Sequence, residues 1–352
     1  MRLFCIQIFQ ILLCTSFFYG NFADAVSNPK LFFFLGHENQ INLKSYKPIL
    51  INPCVTGVQI VYTWKELEPK KDVYDFSKIE KDLQYLNSIH KKLFIQLQDR
   101  SFQPNLFYVP DYIRSEAIYH GGVAMQYDFP GEGKPITEGW VARVWDPHVR
   151  ARFQLLIKKL ADKYDGRIYG INLPETAVDF DAKNPPLNFT PDNYFNAEME
   201  NLAVTRSAFR KSIVIQYVNF FPAEWNNDHH YMSRLFSYAS KHKIGLGGPD
   251  VVPYRKSQMK NSYPFFHQYI NKLNVVGMAI QEPDYTYKKP GTNLHYKFSD
   301  FYSFTHEYLG ANILFWNVQE PFLSAQLLPA MKSGQYFSCR NDLCAQQKIL
   351  PV

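Results

Sequence analysis

The chain has 352 residues, 46% hydrophobic and 16% aromatic, with 38 Lys and Arg against 32 Asp and Glu for a formal net charge of +6. That length excludes a small sandwich and suits one large domain of roughly 250 residues or more carrying insertions. The cationic excess is spread along the chain, apart from short runs such as Lys288 and Lys289, so the composition supplies no nucleic-acid surface.

Residues 1–25 read as a secretory signal peptide. Arg2 precedes an apolar run from Leu3 to about Tyr19, and Ala23, Asp24 and Ala25 form an A-x-A site with cleavage expected after Ala25. An uncleaved anchor is the competing reading, weakened by the short run and by Gln7, Gln10 and Ser16 within it. The mature chain, residues 26–352, is therefore expected to be secreted or periplasmic, with no membrane contact once the signal is removed. It keeps Cys54, Cys339 and Cys344; the close pair Cys339 and Cys344 could bridge, leaving Cys54 free and buried, with a metal site as the competing reading, weakened by the absence of nearby histidines, and the sequence leaves that bridge open. Oligomeric state has no signature in the sequence.

Beyond the signal, apolar runs alternate with amphipathic helical patterns, which argues for βα units and a parallel sheet. The first two runs are Leu31 to Leu35 and Val58 to Tyr62. A helix follows with Phe76, Ile79, Leu83 and Leu86 on one stripe, its start carrying a Ser77 to Glu80 capping box. The third strand, Leu93 to Leu97, ends at Gln98, Asp99 and Arg100. The segment from Ser101 to Trp145 is long, irregular and rich in Pro, Gly and Tyr, and is expected to be an ordered loop over the rim. Asp146 and Pro147 open a helix with Phe153, Leu156, Ile157, Leu160 and Tyr164 on one face.

That helix feeds the run RIYGINLPET, an apolar strand ending in a carboxylate, Glu175. Thr190 and Pro191 open the next helix, to about Phe209; Ser212 to Val218 is the fifth strand; a helix from about His229 to Ser240 follows. Ile244 to Leu246 begins the sixth strand, whose loop carries Asp250 and Tyr254, and a helix from Phe265 to Leu273 leads to the seventh. There Gly277 precedes Glu282 by the same five positions that separate Gly170 from Glu175. A helix from Asp300 to Tyr308, an eighth strand from Ile313 to Trp316 and a last helix near Ala325 to Lys332 complete the chain. Eight strands with intervening helices count out a single (β/α)8 TIM barrel with a long loop insertion after strand 3. The alternative, a doubly wound sheet, lacks its glycine-rich phosphate turn.

The chain at this point resembles the clan A retaining glycoside hydrolases. Val58 to Phe76 is similar to that clan's second-strand segment, with a tryptophan, an E-P and a Y-D-F introducing the next helix; Trp145 to Tyr164 and then Glu175 are similar to its W-x-P helix and acid-bearing strand. The resemblance implies a (β/α)8 barrel with Glu175 as acid/base at the end of strand four and Glu282 as nucleophile at the end of strand seven. It also implies Trp316 as the strand-eight tryptophan beneath the sugar. Two departures stand out. Pro174 occupies the position where the clan usually has asparagine, leaving Asn172 as a possible donor to the sugar, and Gln59 stands where an arginine is common.

Retaining hydrolysis needs one ionised carboxylate and one protonated carboxyl roughly 5 to 5.5 Å apart, a pair that Glu175 and Glu282 are expected to supply. Glu320 and Asp284 are the rivals for nucleophile. Tyr217 and Tyr254 follow strands five and six, where a phenol could bond the nucleophile, and Trp225 joins Trp316 as a candidate sugar platform. Gln98 is a further candidate substrate contact, and His37, His120 and Asp250 are near the mouth by position. The expected function is an exported glycoside hydrolase acting on a β-linked oligo- or polysaccharide, with a carbohydrate substrate and no cofactor or metal. The alternative is a catalytically silent glycan-binding barrel.

Overall fold

The structure is a computed structural model describing residues 27–37, 41–128, 136–181, 183–281 and 284–339. Ten strands are present among these: β1 (Lys30–His37), β2 (Val55–Thr63), β3 (Lys92–Gln98), β4 (Val123–Asp128), β5 (Ile136–Ala142), β6 (Gly170–Leu173), β7 (Ile213–Tyr217), β8 (Gly245–Gly248), β9 (Val276–Ile280) and β10 (Ile313–Asn317). Eight of them close a barrel in the order β1-β10-β9-β8-β7-β6-β3-β2. Every neighbouring pair in that ring is parallel. The helices are α1 (Lys47–Leu50), α2 (Trp64–Leu67), α3 (Ser77–Ser88), α4 (Asp111–Ser115), α5 (Pro147–Tyr164), α6 (Pro191–Ala208), α7 (Tyr231–Lys241), α8 (Tyr263–Gln268), α9 (Phe298–Tyr302) and α10 (Leu328–Ser333). The (β/α)8 architecture is thus as the alternation of runs implied.

Strand side chains alternate between the barrel interior and the helix layer, as a period of two requires. On β3, Leu93, Ile95 and Leu97 join the large outer core, whereas Phe94 packs inside with Phe32, Ile215, Ile313 and Phe315. The interior floor is therefore aromatic and aliphatic. Gly170 on β6 makes room for it, since a Cβ there would come within 2.5 Å of the Phe94 ring. Above this floor the inward positions become polar, which sets up the site.

The helix starts around the fourth barrel strand form as the sequence suggests. The Asp146 carboxylate accepts from the amides of His148 at 2.8 Å and Val149 at 3.4 Å, ahead of Pro147. Thr190 Oγ1 accepts from the amide of Asn193 at 3.1 Å, ahead of Pro191. Phe153, Leu156, Ile157, Leu160 and Tyr164 are all buried on α5, each side chain contributing roughly 1.5–3 kcal/mol by leaving water.

Three expectations need correction or completion. The capping box is not at Ser77 and Glu80: Ser77 is the first residue of α3, its amide bonds the Asp75 carboxylate at 2.9 Å, and Glu80 pairs with Arg167 at 2.6 Å. A capping box forms instead between Thr63 and Glu66 at the start of α2. The cysteine pairing also differs, because Cys339 is disulfide-bonded to Cys54, which is therefore not free. The chain after α10 runs back under the barrel, where Ser338 N bonds the carbonyl of Pro29 at 3.1 Å and Asn28 bonds that of Gln335 at 2.9 Å, bringing Cys339 to the entrance of β2. Cys344 and the proposed signal, residues 1–25, lie outside the described residues. Finally, the Ser101 to Trp145 segment is built, not irregular: α4, a 3-10 turn at Ala117–Tyr119, and the antiparallel hairpin β4–β5. Its strands escape a sequence reading because they are short, and Gly139 interrupts β5.

Candidate active site

A cavity of about 440 Å³ opens at the C-terminal mouth of the barrel, where (β/α)8 enzymes carry their active sites. Its walls come from inward positions at the strand ends: Phe34 and His37, Val61, Gln96 and Gln98, Tyr217 and Gln281. Loop residues Glu175, Asn219, Asp250 and Arg255 complete one side, and the hairpin contributes Gln126, Tyr127 and Glu138.

Glu175 is pinned from both sides. Preceding it, the Pro174 carbonyl accepts from the Gln216 side chain; following it, Thr176 bonds the carbonyls of Tyr217 through its amide at 3.1 Å and of Phe220 through its hydroxyl at 2.8 Å. Asn219 donates to one carboxyl oxygen of Glu175. Burial pushes the Glu175 carboxyl up to about 8, the negative Asp250 and Glu138 add to the shift, and Arg100 opposes it. At neutral pH this group is therefore mainly protonated and can donate a proton.

Arg100 is fully buried behind the acid. It bonds Asp99 at 3.1 Å and the carbonyl of Ala177 at 2.9 Å, and lies 3.8 Å from Glu198, so it ties the end of β3 to the loop that carries Glu175 and to α6. Beneath the cavity, Gln59 donates to Asn172 Oδ1 at 2.9 Å and to the Tyr217 hydroxyl at 2.8 Å. Burial raises the Tyr217 phenol, which stays protonated. Neutral amides, Gln59 and Asn172, thus occupy this level beneath the cavity.

The partly buried Asp250 and the buried Asp284 form an acidic pair at the ends of the sixth and seventh barrel strands. Asp284 accepts from the Gln281 amide at 2.9 Å, and Gln281 in turn bonds the Pro249 carbonyl at 2.8 Å, stapling the two loops together. Burial and the facing Asp250 charge raise Asp284 to about 9, burial raises Asp250 to about 6, and Arg255 opposes both. The pair therefore retains a proton at neutral pH, held mainly on Asp284.

The structure gathers Glu175, Tyr217 and Gln98 around the cavity with Asp250 and His37. Asn172 is fully buried under the floor, with Oδ1 already engaged by Gln59. Trp316 faces the helix layer, stacked on Phe298 at 4.8 Å between ring centres and 1% exposed, so it does not line the cavity. β10 presents Ile313 and Phe315 inward, and the intervening tryptophan must face out. Trp225 is half exposed under the Lys260 ammonium at 4.9 Å, and Tyr254 is exposed against Phe304; neither lines the cavity. His120 bonds Asp146 at 2.9 Å away from the cavity, and Glu320 is exposed and bonded to Ser324. Glu282 lies outside the described residues, immediately after cavity-lining Gln281.

Asn219, Gln96 and Glu138 were not singled out from the sequence. For Gln96 the signal was present, in the Phe94, Gln96, Gln98 alternation; Asn219 and Glu138 depend on loop and hairpin geometry. Among the described residues no cluster of His, Cys, Asp and Glu is arranged to hold a metal ion, and no helix is long and apolar enough to cross a membrane.

No protein-family model matches the chain, and no curated protein does. Solved structures do. The catalytic domain of beta-amylase from Paenibacillus polymyxa is similar at 10% identity and a TM-score of 0.52, over 82% of this chain and 92% of that one. Beta-galactosidase from Bacillus circulans sp. alkalophilus is similar at 8% identity and 0.53, over 82% of this chain and 50% of that one, so the chain spans about half its length. Endo-glycoceramidase II from Rhodococcus sp. is similar at 11% identity and 0.51, over 87% and 78%. At such identities the likeness is one of architecture: this chain has the (β/α)8 barrel fold of these glycoside hydrolases.

Proposed function

We propose that the protein is an exported retaining glycoside hydrolase acting on a β-linked oligo- or polysaccharide, with Glu175 as acid/base and Glu282 as nucleophile. The observation that carries this reading is Glu175 itself: a carboxyl at the tip of the fourth barrel strand, facing a polar cavity and kept protonated at neutral pH by burial and by neighbouring negative charge. A protonated carboxyl there can donate to a leaving glycosidic oxygen, and once ionised it can take a proton from the incoming water. Glu282 enters on sequence grounds, as the carboxylate that follows the seventh strand in step with Glu175. Export is supported by residues 1–25 and by the Cys54–Cys339 disulfide, which suits an oxidising compartment.

The test is leaving-group dependence. Glu175→Gln is expected to lower kcat on unactivated glycosides by roughly 100- to 10,000-fold and far less on aryl glycosides whose leaving group needs no proton. Equal losses on both classes refute the acid role. Glycan binding with no turnover by the wild-type protein, unchanged by Glu175→Ala and Glu282→Ala, identifies the chain instead as a glycan-binding barrel.

A further inference from the structure

The loops after β6 and β7 are laced together on either side of one contact. Before Glu175, the Pro174 carbonyl accepts from the Gln216 side chain, which also donates to the Tyr217 carbonyl at 3.0 Å. After it, Thr176 bonds the carbonyls of Tyr217 and Phe220 through its amide and its hydroxyl. On the second loop, Val218 N bonds the Gly247 carbonyl at 2.8 Å, which ties that loop to β8 as well. The residues flanking Glu175 and those flanking Asn219 are thus fixed against one another, with the contact between the two side chains in the middle. It is made by the fold, before any ligand arrives.

Among the described residues, Asn219 is the side chain that bonds the Glu175 carboxyl, its amide nitrogen donating to Oε2. Arg100 does not share this part, since its bonds go to Asp99 and to the Ala177 carbonyl. An amide N–H can only donate, so Oε2 must offer a lone pair. In a protonated carboxyl the better acceptor is the oxygen that does not carry the hydrogen, and the bond therefore favours the proton on Oε1. That oxygen has no protein partner among the described residues, yet it is not one of the buried atoms shut off from water, and Glu175 lines the cavity. The reversed amide would act in the opposite sense: an oxygen facing Glu175 would accept the proton and turn it away from the cavity.

We infer that Asn219 is a positioning residue that sets the Glu175 proton on Oε1, the oxygen open to the cavity, and so aims it at the glycosidic oxygen. This rests on the hydrolase reading. In the first half of that reaction the proton passes from Oε1 to the departing oxygen as the glycosidic C–O bond breaks and Glu282 bonds the anomeric carbon. In the second half, water displaces Glu282 and returns a proton to Oε1. Through both halves Oε2 keeps the Asn219 donor, which holds the carboxyl plane in one orientation.

The experiment compares kcat/KM, which reports the steps up to glycosidic cleavage, for wild type, Asn219→Ala and Asn219→Asp. The substrates are neutral β-linked hexasaccharides of glucose, xylose, mannose and galactose, and dinitrophenyl glycosides of the matching oligosaccharides, whose leaving group needs no proton. Asn219→Asp keeps the shape but exchanges the N–H for an acceptor, which imposes the reversed arrangement. It is expected to lower kcat/KM on the hexasaccharides roughly 100-fold, and Asn219→Ala, which leaves the carboxyl unheld, roughly tenfold. Both lose far less on the dinitrophenyl glycosides, and that retained turnover shows that each variant is folded. Wild-type kcat/KM on the hexasaccharides in either variant, or equal losses on the two substrate classes, overturns the inference and leaves the hydrolase reading intact. No turnover of either class by the wild-type protein overturns both.

Discussion

A carboxyl held protonated by its surroundings must leave a mark on stability as well as on catalysis. Folding raises Glu175 from its ordinary value of 4.5 to about 8. The folded state therefore holds this proton more tightly than the unfolded chain does. The associated stability is fully present below about pH 4.5 and is lost as pH rises through about 8. At about 1.4 kcal/mol per tenfold change in affinity, the ceiling is about 5 kcal/mol. The carboxyl is open to cavity water, so roughly half of that is expected to be realised. Glu175→Gln keeps the shape, still accepts from Asn219 and does not ionise. Urea denaturation of both proteins between pH 5 and pH 9 isolates Glu175 and the groups coupled to it, because titrations that do not sense Glu175 cancel in the difference. The variant's stability relative to wild type is expected to rise by roughly 2–3 kcal/mol across that range, with unchanged m-values. Parallel curves refute the claim that the site keeps this carboxyl neutral.

Other expectations follow from the same geometry. In the hydrolase reading the alkaline limb of kcat/KM lies near pH 8, where the free enzyme loses the Glu175 proton; Asp250→Asn removes the larger of the two charges that hold it and shifts that limb toward acid. Arg100→Met leaves Asp99 and Glu198 buried without their cation and is expected to cost roughly 3–5 kcal/mol by chemical denaturation. Cys54→Ser opens the link to Cys339 and is expected to cost roughly 2–5 kcal/mol. It should leave kcat unchanged at low temperature, because the bridge sits at the opposite end of the barrel from the cavity.

The barrel was legible because most of its strands are compact apolar runs and α3 and α5 carry clear stripes, with Asp146–Pro147 and Thr190–Pro191 marking starts that the structure reproduces. The placement of Glu175 followed from that count. Trp316 shows what counting leaves out: a residue's level along a strand does not give the face it points to, and here the adjacent Phe315 fills the interior. The same parity, applied to Phe94, leads to Gln96. The cysteine pairing was misread because proximity in sequence competes with proximity in space, and the chain end folds back beneath β2. The hairpin and the Asp250–Asp284 pair depend on loops, whose paths local propensity does not dictate.

The central claim, double-displacement chemistry through Glu175, is tested most directly by the anomeric configuration of the first product formed. Proton NMR during wild-type hydrolysis of a β-glycoside is predicted to show the β-anomer first, with the α-anomer arising only by later mutarotation. The α-anomer appearing first, or no product at all, contradicts the account.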